Sequence, residues 1–333
     1  LSELWPKLLA ALTAPLESFV ALSSPFHVLF LALALLVSAA VYAARARRPL
    51  RWSAMRRFLL PRRIFLHRSA KLDYLYYPLM TMLRAGMLGG MAISSNAMAS
   101  LALAILKGLF GAPLSLPAPY WLLVALVTAL QVLMFDLGYW IGHRVMHEIP
   151  LLWEFHKTHH AAEVLTPLTA ARSHPIDDLL QTNFIAAALG VGYGVLVFVF
   201  GQAQPLSLLG TNVLFFAYYM TLYHLRHSHV WLPIRGWLAY VIQSPAHHQI
   251  HHSTDPRHFG KNLGFCLSLW DWIFGTLYIP DKREAIVFGL GEESADFATV
   301  KDLFLRPFAK ALRSVAPRRD AFSTSMRPSP DQR

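Results

Sequence analysis

Histidine is the residue type this chain concentrates. Thirteen of its sixteen histidines fall between residues 143 and 252. Their spacings place several of them on common helix faces. His143 and His147 form a pair one turn apart, while His156, His159 and His160 form a compact triple. His248, His251 and His252 repeat the spacing of that triple. Neutral imidazole suits iron, copper, nickel and zinc. Without a metal, packed rings would repel when protonated and would each need a hydrogen-bond partner when neutral. A lone buried histidine is ordinarily a satisfied core residue. Two matching triples and a pair point instead to bound metal.

Asp136 is the one acid in the apolar run that leads into His143. Trp140, His143 and His147 follow it at four, seven and eleven residues, so the carboxylate shares the histidine face. It is expected to accept the second ring N–H of a liganding histidine, fixing the tautomer and raising its basicity. The plainer alternative is a polar residue hydrated near a helix end.

The elements that must carry these groups are apolar. The chain has 333 residues, 55% hydrophobic and 15% charged, below the charged share of ordinary soluble domains. Its one cysteine, Cys266, leaves no intramolecular disulfide and no cysteine-ligated cluster. The net charge of +11 comes with no finger motif or aromatic–basic groove, so no nucleic-acid partner is expected.

Residues 1–24 are expected to lie at the membrane surface or form a short leading helix rather than a cleaved signal. Phe26 to Ala44 is a first spanning segment, followed by a basic stretch from Arg45 to Lys71 that includes Arg47, Arg48, Arg56, Arg57, Arg62 and Arg63. That stretch reads as an anchor on anionic lipid. Leu79 to Phe110, with Gly86, Gly89 and Gly90, is long for one crossing; a tilted helix and a glycine-kinked, partly re-entrant segment are both open. Tyr120 to Ile141 is the clearest span, and Asn183 to Phe200 with Leu206 to Leu222 reads as a hairpin of two more. The tail from Ala309 is basic and proline-containing, and is expected to be partly disordered.

Placing the arginine-rich stretch in the cytoplasm puts the uncharged loops at 111–119 and 201–205 outside. Both histidine regions, 143–178 and 224–258, then meet on the cytoplasmic side. The expected fold is an all-α integral membrane protein with about four to five transmembrane helices and a cytosolic, helical, histidine-rich metal-binding cap. Three regions follow: an N-terminal membrane region with a basic cytosolic loop (1–118), a catalytic-type domain (119–285) and a C-terminal cytosolic tail (286–333).

The motifs DLGYWIGHRVMH (136–147), LLWEFHKTHH (151–160), RSHP (172–175), HSHV (227–230), SPAHHQIHH (244–252) and WDWIFGT (270–276) occur in that order. Over roughly residues 120–280 the chain resembles the membrane-bound fatty acid hydroxylase/sterol desaturase superfamily. The resemblance implies a non-haem di-iron site, with zinc possible in a purified sample, and dioxygen as co-substrate. It implies as ligands His143, His147, His156, His159, His160, His227, His248, His251 and His252, with His224 as a tenth. His229, His247 and His174 stay outside that set. The implied reaction is oxidation of a lipid C–H bond, to an alcohol by oxygen insertion or to an alkene by loss of a second hydrogen. A sterol, fatty acyl chain, ether lipid or aminoacyl lipid are the candidate substrates.

No flavin or nicotinamide fingerprint is present, so electrons are expected from a separate chain, either cytochrome b5-like or a ferredoxin with its reductase. Trp270-Asp271-Trp272 and Phe274-Gly275 could shape a lid over the metals or simply pack. The implied setting is a bacterial inner membrane or one like the endoplasmic reticulum. Three other classes compete, one of them a non-catalytic sensor domain that keeps every box intact. A membrane metal transporter would bind its ion at the bilayer midplane, whereas these histidines lie beyond the apolar runs. A membrane cytochrome would carry its histidine pairs inside the helices.

Overall fold

The computed structural model describes residues 4–46, 51–86 and 91–315. Arg47, Arg48, Gly89, Gly90 and the tail beyond Val315 lie outside the described residues. The helices in chain order are α1 (Leu4–Val20), α2 (Val28–Arg45), α3 (Trp52–Leu59), α4 (Arg62–Phe65), α5 (Arg68–Gly86), α6 (Ser95–Phe110) and α7 (Tyr120–Glu148). They continue with α8 (Pro150–His160), α9 (Pro175–Phe200), α10 (Val213–Thr221), α11 (Tyr223–Arg226), α12 (Pro245–His251), α13 (Leu269–Ile273) and α14 (Val300–Val315). One two-residue hairpin, β1 (Ser207–Leu208) against β2 (Thr211–Asn212), precedes α10.

Among the described residues three helices, α2, α7 and α9, are long and apolar enough to cross a membrane, and α6 is a shorter apolar helix. With 29 residues, α7 is about 43 Å long at ~1.5 Å per residue, against a hydrocarbon core of about 30 Å. Its last turns therefore have length to spare, and those turns carry His143 and His147. Against α7 and α6 packs α9, at distances that only small residues allow. A Cβ at Gly138 of α7 would stand 2.6 Å from the Ile185 backbone of α9. On the opposite side of α9, a Cβ at Gly194 would stand 2.7 Å from the Ala99 carbonyl of α6.

Two expectations change. Leu79 to Phe110 is not one tilted helix: α5 ends at Gly86 and α6 begins at Ser95, where Ser94 caps it by accepting the N–H of Ala97. Leu206 to Leu222 is not a full span. Leu209 and Gly210 take positive φ and close the β1–β2 hairpin. That hairpin folds down beside α7, where Asn212 donates to the Thr128 carbonyl and to Gln131 and Thr128 accepts the N–H of Leu206. Only the nine residues of α10 remain helical.

Beyond the ends of these apolar helices lies the histidine-rich layer. Pro150 opens α8 and Pro245 opens α12, each at a first-turn position that needs no N–H. Ser244 caps α12 by accepting the N–H of His247. Holding α8 down is a fully buried ion pair, Arg172 with Asp73 of α5 at 3.1 Å. Arg172 Nε also donates to the Thr158 carbonyl of α8, and Thr169 donates to Asp73. Every polar atom of that pair which the packing removes from water thus finds a partner, the condition for a buried ion pair to hold. On its other side α8 packs against α14.

Candidate metal centre

Nine of the ten histidines proposed from the sequence converge in two adjoining clusters. Nitrogens of His143, His147, His156, His160 and His251 lie within 4.8 Å of one another, and so do those of His159, His227, His248 and His252. Each triple is divided. From α8, His156 and His160 enter the first cluster and His159 the second; from the α12 segment, His251 enters the first and His248 and His252 the second. The clusters touch where the rings of His160 and His252 stack at 4.6 Å.

Second-ring hydrogen bonds orient four of the nine. Nδ1–H of His143 donates to the Leu263 carbonyl at 2.7 Å, that of His251 to the Lys261 carbonyl at 2.9 Å, and that of His159 to the Arg172 carbonyl at 3.2 Å. His156 donates from Nδ1 to Asp177 Oδ2 at 2.9 Å. Each bond places the proton on Nδ1 and aims the Nε2 lone pair into its cluster, the arrangement that metal-binding histidines use. Burial is the main reason that protonation of His159, His160, His227, His248 and His252 lies well below the ordinary imidazole range, and that of His251 falls to about 3. These rings are neutral at physiological pH and have lone pairs to offer.

The donor set fits two metal ions. The Nε2 atoms of His147, His160 and His251 are buried and have no hydrogen-bond partner among the described residues, a costly state for polar atoms unless a ligand takes them. Neighbouring Nε2 atoms lie 3.1 Å apart (His143 and His156), 2.9 Å apart (His227 and His248) and 3.2 Å apart (His248 and His252). Two nitrogens bound to one ion at ~2.1 Å would be separated by about 3.0–3.4 Å at octahedral or tetrahedral angles. His248 carries one further constraint. The Arg226 guanidinium, which can only donate, reaches its Nδ1 at 2.8 Å. With a metal on Nε2 as well, that ring would be an imidazolate facing the Arg226 charge.

Two sequence expectations are corrected. His224 is not in either cluster: it is turned toward α2, and its Nε2–H donates to the Pro25 carbonyl at 2.7 Å. Asp136 does not accept from a histidine. Its Oδ1 takes the backbone N–H groups of Phe265, Cys266 and Leu267 at 3.1, 2.6 and 3.1 Å. Asp271, from the WDWIFGT motif, takes the N–H groups of Leu263 and Gly264 and the indole N–H of Trp140. The two carboxylates fix the loop whose Leu263 carbonyl orients His143, so Asp136 acts on that ring at one remove. The carboxylate that touches a clustered histidine is Asp177, which the sequence does not single out; an acid in the first turn of α9 reads as an ordinary complement to the helix dipole. His229 donates to the Phe58 carbonyl, His174 to the Phe304 carbonyl, and His247 accepts the Ser244 N–H.

A cavity of about 540 Å³ reaches the first cluster at His147, His160 and His251, with Trp153, Phe259 and Leu290 among its apolar walls. These three unpartnered Nε2 atoms thus belong to residues that meet this cavity, while His227 and His252, whose Nδ1 atoms are also unpartnered among the described residues, do not line it.

The sequence profile described as fatty acid hydroxylase matches residues 128–276, the stretch that supplies all nine clustered histidines. Those residues are similar to the fatty acid hydroxylase family. Related proteins include alkylglycerol monooxygenase of Xenopus tropicalis, 29% identical over 46% of this chain and 31% of its own length. Ornithine lipid hydroxylase OlsE of Rhizobium tropici is 28% identical over 50% of this chain and 46% of its own. A Delta(7)-sterol 5(6)-desaturase of Gibberella zeae is 30% identical over 45% and 42%. The chain therefore spans less than half the length of each of these relatives. No solved structure matches it. Within this stretch the two triples differ from the α7 pair: α8 and the α12 segment each present rings in two directions, whereas His143 and His147 both face the first cluster.

Proposed function

We propose that this chain is a multi-pass membrane oxygenase that oxidises a C–H bond of a lipid with dioxygen, using two non-haem iron ions held by the nine clustered histidines. The convergence of those nine rings at the protruding end of an apolar helix carries the reading. When bound, the metal pair supplies activation of dioxygen and removal of a hydrogen atom from the substrate carbon. The protein's own groups do the rest. The cavity beside His147, His160 and His251 receives the lipid, and Trp153, Phe259 and Leu290 exclude water from it. The carbonyls of Leu263, Arg172 and Lys261 and the Asp177 carboxylate keep the ring protons on Nδ1 throughout.

Hydroxylation places one oxygen atom in the lipid and the other in water, with two electrons and two protons from an external donor. An ether lipid or an aminoacyl lipid is the favoured substrate class, because two of the relatives are named for such lipids. Desaturation at the same centre is the second reading, and the sterol desaturase relative supports it. The histidine layer is proposed to face the cytoplasm, since the arginine-rich stretch after α2 favours that side and the loops at 111–119 and 201–205 carry no charge. The test supplies labelled dioxygen and reductant to membranes containing the protein and analyses their lipids by mass. A lipid that gains one labelled oxygen supports hydroxylation, and one that is two hydrogens lighter and unlabelled indicates desaturation. No oxygen-dependent change in any lipid class overturns the oxygenase reading.

A further inference from the structure

α14 has two apolar faces, and the histidine layer uses one of them. Leu303 and Ala311 are buried against α5 and α8, with Phe304 partly buried beside them. Leu305, Phe308 and Leu312, spaced by three and four, line a second side of the helix, with the half-exposed Phe308 ring also packed on Phe155 and His174. They are 54%, 47% and 72% exposed. Lys301 and Arg313 stand toward the two ends of the stripe; of the helix's other basic residues, Arg306 pairs with Asp302 and Lys310 with Glu293 and Asp296.

The level of α14 is set by one imidazole. His174 is the N-cap of the spanning helix α9: its Nδ1 accepts the N–H of Ile176 while its Nε2–H donates to the Phe304 carbonyl at 3.0 Å. α14 thus lies where α9 begins, and Asp177 and Asp178 in that first turn mark the boundary between charged and apolar sequence. A second link runs to the metal ligands. Pro307 has no N–H, so the Leu303 carbonyl lacks its helical donor. Thr158 of α8, between His156 and His159, donates to that carbonyl instead.

We propose that α14 is an interfacial helix, seated with Leu305, Phe308 and Leu312 in an anionic bilayer surface, and that this seat sets the height of α8 over the membrane. The proposal rests on the membrane-spanning reading of α2, α7 and α9. A basic amphipathic helix at the headgroup level has apolar area to bury and charge for anionic lipid to attract. A second copy of the chain could cover the same stripe, but the basic flanks would then face each other, which favours the lipid.

The test uses the full chain in proteoliposomes made with and without phosphatidylglycerol. Cys266 is buried, so an environment-sensitive thiol probe can be placed at Leu305→Cys, Leu312→Cys, Arg313→Cys and, within α9, Val191→Cys. Val191 is an exposed position of a proposed span. The expected result is that probes at 305 and 312 are quenched by shallow lipid-borne quenchers and are severalfold less accessible to aqueous iodide than the probe at 313. Omitting the anionic lipid should narrow that difference. Equal iodide access at 305, 312 and 313, with the Val191 probe still lipid-quenched, overturns the proposal alone. Disulfide formation between Leu312→Cys copies with no lipid quenching overturns it in favour of self-association. If the Val191 probe is also open to iodide, the membrane-spanning reading fails, and the proposal falls with it.

Discussion

Asp177 Oδ2 accepts the Nδ1 proton of His156 at 2.9 Å, and both groups are buried. Through this contact the first turn of α9, a proposed membrane span, fixes a ring on α8. Removing the carboxylate takes away the acceptor that holds the ring and frees it to turn. Asp177→Ala is expected to weaken metal binding by about 10–100-fold, read by competition with a chelator. Asp177→Asn keeps an acceptor but no charge and should fall between Ala and wild type. Equal affinity in all three proteins would deny Asp177 a part in the site.

His159 and His251 belong to different clusters but to helices that serve both. His159→Ala and His251→Ala should each abolish turnover and each reduce bound metal toward loss of both ions. The double variant should be little worse than either, as for residues that act as a unit. Metal analysis and turnover on the same preparations check this. Loss of only one ion, with activity kept, from either variant is the contrary outcome.

Asp136 satisfies three backbone N–H groups in one loop. Asp136→Ala leaves buried donors unpaired, at a cost of about 1–3 kcal/mol for each donor that water does not reach. Thermal unfolding in detergent should therefore shift strongly downward, with a smaller shift for Asp136→Asn, whose side-chain oxygen can still accept. The metal centre should suffer as a consequence, because the same loop presents the Leu263 carbonyl to His143. An unchanged unfolding midpoint would remove the loop-holding role.

Acid should destabilise the metal-free protein before it affects most carboxylates. Burial lowers protonation of His224 and His247 to about 4 from an ordinary 6.5. Below 6.5 the unfolded chain binds protons that the folded chain refuses. The stability these residues contribute is therefore fully present above about pH 6.5 and is lost as pH falls toward 4. The slope approaches ~1.4 kcal/mol per pH unit for each such histidine. Unfolding of the chelator-treated protein between pH 7 and 4 measures it; a flat profile over that window would contradict the burial.

What could be read from the sequence was whatever is encoded locally. The box spacings and the long run into His143 are properties of neighbouring residues, and the structure places them as expected. What could not be read depends on partners far along the chain. Asp136 shares a helix face with His143, yet its carboxylate is claimed by a loop about 130 residues later. His224 belongs to the histidine-rich stretch by position, but the Pro25 carbonyl holds it elsewhere. Leu206 to Leu222 is apolar enough for a span, and hydropathy takes no account of the turn that Leu209 and Gly210 make within it.

The division of each triple between the two clusters bears on how the protein fills. Because α8 and the α12 segment both contribute to both positions, an ion captured at either one immobilises rings destined for the other. The second ion then meets ligands whose ordering entropy is already spent, and it binds more tightly than the first. A metal titration of the empty protein should accordingly be sigmoidal. Half-filled molecules should be scarce at every metal concentration, so the population divides into empty and fully charged forms.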